Sequence, residues 1–107
     1  MTGTALPLTP ADRRQITDAI DELTIGIARL LCADNVQASE REVRLAVVAA
    51  AQLLRADVEV QLDQAVRGAA RAGADYSQIG AAVGMSRQGA RRRWPGLADL
   101  TRGARRT

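Results

Sequence analysis

Histidine, lysine and phenylalanine are missing from this 107-residue sequence, cysteine occurs once, and the aromatic residues are Tyr76 and Trp94 alone. Without histidine the chain lacks the commonest metal ligand and the commonest general base. With Cys32 as the one thiol, a structural zinc site and an intramolecular disulfide are both excluded, and the pattern is not that of a stapled secreted module. No metal and no cofactor is expected. The sequence also has no Gly-rich phosphate loop and no base beside its cysteine, which argues against an enzyme. The most apolar uncharged run, Leu45 to Leu54, is ten residues between Arg44 and Arg55, about half of what a membrane span requires. The first residues, Met-Thr-Gly-Thr-Ala-Leu-Pro, lack the basic start and long apolar stretch of a signal peptide, so a cytoplasmic protein without membrane attachment is expected.

What remains is 47% hydrophobic and 25% charged, the balance of a folded chain. The core must be built from Ala, Leu, Val and Ile, and richness in alanine favours close-packed helices over sheet. The predicted fold class is all-α. The length suits one compact domain, or one domain with a helical arm.

Charge is distributed unevenly. The net charge is +3, but residues 1–66 hold six Arg against ten acids, whereas residues 67–107 hold nine Arg against two acids, a local excess of +7. A block of positive potential at one end is the footprint expected for a polyanion, most simply nucleic acid.

Helix signals punctuate the chain. Thr9, Pro10 and Asp12 form an N-cap, a first-turn proline and an acid near the positive end of the helix dipole. Behind them Ile16, Ile20, Leu23, Ile27 and Leu30 recur at spacings of four and three, and this helix is predicted to end at about Leu31, before Ala33-Asp34-Asn35. Ser39 and Glu42 form a second capping box, followed by Val43, Val47, Ala50 and Leu54 on one face. No Gly or Pro interrupts Ser39 to Gly68, although the charged patch Arg55 to Glu59 leaves open whether residues 39–73 form one helix or two. Val58, Leu62, Ala65, Val66 and Ala69 continue the apolar face to Gly73, placed to end the helix in a left-handed conformation. Asp75 and Gln78 cap a short helix from Tyr76 to Val83, and Ser86 caps a last one that Pro95 terminates near Arg93 or Trp94.

The segment Asp75 to Trp94 has the parts of a helix-turn-helix: two short helices, Gly84 in the turn, and Gly80 where the helices touch. Ile79, Val83 and Met85 are predicted to form its apolar wedge. Ala90 and Trp94 lie four apart and face inward, leaving Arg87, Gln88, Arg91 and Arg92 outward. Arginine can grip the O6 and N7 edge of guanine at two points and glutamine the corresponding edge of adenine, so this set has the chemistry of direct base readout. Ser77, Gln78, Ser86 and Arg93 complete the expected DNA-contacting residues, with Arg93 assigned to a phosphate. Gly89 reads either as a point of close approach to DNA or to Tyr76, or as tolerated drift.

From Gly84-Met85-Ser86 through Trp94-Pro95 to Leu97 and Leu100, the sequence resembles the TetR-type helix-turn-helix and the short helix-turn-helix regulators common in actinobacteria. The resemblance covers about thirty residues, since a recognition helix ending in an aromatic, a Pro and a downstream Leu is the shared pattern. It implies double-stranded DNA as partner, with the helix before Gly73 as support. The motif stands at the C-terminal end instead of the N-terminal one, and Gly89 and Arg93 replace larger or apolar residues, so a ligand-binding TetR-type core is not implied.

The expected organisation is a flexible start at 1–8, a helical dimerisation region at 9–56, a three-helix DNA-binding region at 57–100, and a basic flexible tail at 101–107. Dimerisation is assigned to Ile16, Ile20, Leu23, Ile27, Val47 and Leu54, because a helix apolar over much of its circumference needs more partners than one short chain supplies. Pairing would also double the DNA contacts and set half-sites near one helical turn apart. The expected function is a homodimeric, sequence-specific DNA-binding protein, a transcriptional regulator by default. A nucleoid-associated or plasmid-partition protein, or a helical protein-interaction module, stays open.

Overall fold

A computed structural model describes residues 7–106. Among them the chain is all-helical, with α1 Pro10–Leu31, α2 Glu40–Arg71, α3 Tyr76–Val83, α4 Arg87–Arg93 and α5 Leu97–Arg106. The expected flexible start falls on residues that, but for Pro7 and Leu8, lie outside those described. No helix among the described residues is long and apolar enough to cross a membrane. Two compact units divide at Glu59/Val60, inside α2.

In the unit Leu8–Glu59 the helix signals act as written. Thr9 and Asp12 exchange reciprocal 3.0 Å hydrogen bonds, each side chain accepting from the other's backbone N–H. These bonds hold the Asp12 carboxyl below its ordinary pKa. Ser39 Oγ accepts from the Glu42 N–H at 3.2 Å, but the Glu42 carboxylate accepts from the Asn35 side chain at 2.8 Å, tying the loop to α2. The unit buries only Ala28 and Ala50. Ile16, Ile20 and Leu23 stay 46%, 48% and 55% exposed, while Ile27, Val47 and Leu54 are half-buried.

The charged patch at 55–59 causes no break: α2 is one 32-residue helix. Its last part, with α3, α4 and α5, forms the unit Val60–Arg106 around a core of Val66, Ala70, Tyr76, Ile79, Ala90, Trp94 and Leu97. Each large apolar side chain buried there contributes about 1.5–3 kcal/mol.

The expectation of a flexible tail at 101–107 is overturned for 101–106, which belong to α5. The reason is a set of anchors onto the turn after α2. The buried Thr101 hydroxyl donates to the Ala74 carbonyl at 2.6 Å, and Arg105 donates from Nε to the Gly73 carbonyl at 3.0 Å.

Candidate nucleic-acid interface

The turn between α3 and α4 starts at Gly84, where φ is +74°, a left-handed conformation that costs a side-chain-bearing residue about 1–2 kcal/mol. Gly80 permits the two helices to meet: a Cβ there would stand 2.7 Å from the Met85 carbonyl oxygen and 3.1 Å from that of Ser86. The Met85 N–H donates back to the Gly80 carbonyl at 2.8 Å. It is therefore the backbone of Met85 that packs, and its side chain is 41% exposed instead of forming the expected wedge with Ile79 and Val83.

Capping follows the sequence. Asp75 and Gln78 exchange both bonds of a capping box at 3.0 Å. The Asp75 carboxyl is held below its ordinary pKa, first by the Gln78 backbone N–H and then by Arg105, whose guanidinium stands 3.3 Å away. Ser86 Oγ accepts from the Gly89 N–H at 3.0 Å. Gly89 approaches this cap and not Tyr76: its absent Cβ would stand 3.2 Å from Ser86 Oγ.

Beneath α4 lies a polar lock that the sequence reading missed. The Tyr76 hydroxyl donates to the Trp94 carbonyl at 2.6 Å and accepts from the Leu97 N–H at 3.0 Å, so one phenol joins α3 to the end of α4 and the start of α5. Trp94 is 3% exposed, the core anchor its phase with Ala90 predicts, and its indole N–H donates to Asp63 of α2 at 2.8 Å. Every buried side-chain N or O atom among the described residues has a partner.

Above the lock, α4 presents its basic face. Arg87, Gln88, Arg91 and Arg92 are all exposed, while Ala90 is fully buried. They form two ridges at the spacing of one turn, Arg87 with Arg91 and Gln88 with Arg92. The Arg91 guanidinium carbon lies 5.5 Å from the centre of the Tyr76 ring, which orients it without occupying its N–H donors. Arg93, expected at a phosphate, is exposed, pairs with Asp63 at 3.3 Å and lies over the Trp94 ring at 5.1 Å. Ser77 and Gln78 are exposed on the first turn of α3.

The described residues contain no group of three or more Cys, Asp or Glu suited to hold a metal ion. Compared with protein-family models, curated proteins and solved structures, the chain has no significant match.

Proposed function

We propose that the chain is a homodimeric DNA-binding protein in which α3 and α4 act as a helix-turn-helix and α4 reads the major groove. One observation carries this reading: α4 is a seven-residue helix whose outer face is Arg87, Gln88, Arg91 and Arg92, exposed, while its inner face is Ala90 and the Trp94 cap, which a buried bond from Tyr76 and a half-buried one to Asp63 hold in place. A solvated helix surface needs no such rigid footing. A reader does, because bidentate base contacts tolerate little angular error.

The second half of the proposal rests on the unit Leu8–Glu59. A face that leaves Ile16, Ile20 and Leu23 about half exposed beside the half-buried Ile27 fits a second copy of the chain, since a two-fold interface pairs the same patch with itself and doubles the DNA contacts. Transcriptional regulation in the cytoplasm is the default use.

The test is fluorescence-anisotropy titration of selected and random duplexes at low and physiological salt. Replacing Gln88 and Arg92 together by Ala should cost about 1–3 kcal/mol per lost base contact and flatten sequence preference. Weak, uniform wild-type binding with a steep salt slope would favour a nucleoid-coating protein. Absence of binding at both salt concentrations would refute the DNA reading.

A further inference from the structure

The C-terminal helix α5 closes a cleft that the base-reading function leaves unexplained. Between the start of α3, the Arg87–Arg91 ridge of α4 and the middle of α5 lies a cavity of about 350 Å³. Its walls include Arg87, Arg91 and Arg102, with Ser77 and Tyr76 beside them and Asp75 as the single acid. Three arginines from two helices thus line one concavity.

The acid does not neutralise them. Asp75 is already engaged by the Gln78 backbone N–H and by Arg105, which lies outside the cavity lining. Arg102 shares one edge with Asp99 and keeps further donors, and Arg91 spends only its flat face on Tyr76. No described residue supplies a partner for Arg87. Like charges brought to one cleft repel, and an anion is what offsets that cost. Planar guanidinium forks match the oxygens of a phosphate in pairs. The volume stands at the small end of ligand sites, about 300–1,000 Å³, and leaves room for a phosphoryl group.

We infer that this cleft binds a phosphoryl group between Arg87, Arg91 and Arg102, so that α5 belongs to the nucleic-acid interface. The reading as a DNA-binding protein enters only in naming the source, a backbone phosphate beside the bases that Gln88 and Arg92 face; a free phosphate has the same chemistry.

Two measurements on the full chain decide it. The first compares wild type with Arg102→Gln, an exposed position, by anisotropy titration on duplex DNA. The dimer carries the substitution in both copies, so two phosphate contacts are lost and the slope of log affinity against log salt falls by about 1.8; the advantage of wild type over the variant then shrinks about twelvefold between 50 and 200 mM salt. The loss is the same for every duplex sequence. The second titrates inorganic phosphate into wild-type protein and follows the Ser77 amide and the arginine Nε–H signals by NMR, which needs no variant. The reduced slope assigns the cleft to the DNA backbone. Saturable shifts at Ser77, Arg87, Arg91 and Arg102 in a protein that binds no DNA keep the cleft, name free phosphate as the source and sink the DNA reading. DNA binding with an unchanged Arg102→Gln slope and no phosphate shifts overturns the inference and leaves the DNA reading intact.

Discussion

Replacing Tyr76 by Phe removes one oxygen atom and tests whether the lock under α4 holds the C-terminal unit together. The ring is 7% exposed, and Phe keeps its volume and its cation–π contact with Arg91, so packing is nearly conserved. What is lost is the donor to the Trp94 carbonyl at 2.6 Å and the acceptor for the Leu97 N–H at 3.0 Å. Trp94 and Leu97 are 3% and 1% exposed, so water cannot readily replace the hydroxyl. A buried polar group left unpaired costs about 1–3 kcal/mol. Allowing for partial relaxation, the two groups together are expected to cost about 2–4 kcal/mol, a large share of a total stability of about 5–15 kcal/mol. The assay is urea unfolding followed by the fluorescence of Trp94, the sole tryptophan, which sits in the affected core. The midpoint should fall with the slope unchanged, and the melting temperature should drop by about 10–20 °C. A loss under about 0.5 kcal/mol, the scale of a neutral surface substitution, would refute the claim that this phenol carries α4 and α5.

Gly80→Ala should lose about 1–3 kcal/mol through overpacking against the Met85 carbonyl, outweighing the gain of about 1 kcal/mol from helix propensity; a thermal melt at or above the wild-type temperature would contradict the close approach of α3 and α4. Asp75→Asn concerns pH. Because the folded carboxyl lies below its ordinary value, its contribution is complete above the unfolded pKa of about 3.9 and fades as pH falls through the folded one. Asn still caps and the Arg105 pair is roughly half exposed, so the variant should trail wild type by no more than about 1 kcal/mol at pH 7, with the gap closing in urea titrations near pH 3. A gap that widens in acid would show that the carboxylate is not the cause. Leu23→Asp, which alters both copies across a two-fold interface, should cost about 4 kcal/mol in total and raise the dimer Kd near a thousandfold. Sedimentation equilibrium showing an unchanged oligomer would remove Leu23 from the proposed interface.

Local chemistry made the helix starts and the α3–α4 turn legible in the sequence alone. Thr9 with Asp12, Asp75 with Gln78, and Ser86 with Gly89 each act across three residues, and Gly84 answers to its own φ. Their geometry depends on neighbours in the chain, and so does the outward face of α4, whose Arg and Gln positions follow from the helical period. Tertiary structure decided what depends on groups far apart. Tyr76 meets Trp94 and Leu97 across 18 and 21 positions, and Asp63 meets the Trp94 indole across 31, contacts for which spacing offers no local signal. The same distance hid α5: its arginines read as a solvated tail until Thr101 and Arg105 were seen bonded 27 and 32 residues back, to Ala74 and Gly73. Met85 stays 41% exposed for a related reason, since the close approach at Gly80 is made by its backbone, a contact between helices that its apolar side chain did not signal. Caps and periods are short-range and survive in any fold, whereas a buried hydroxyl or an anchored end exists only once the chain has closed upon itself.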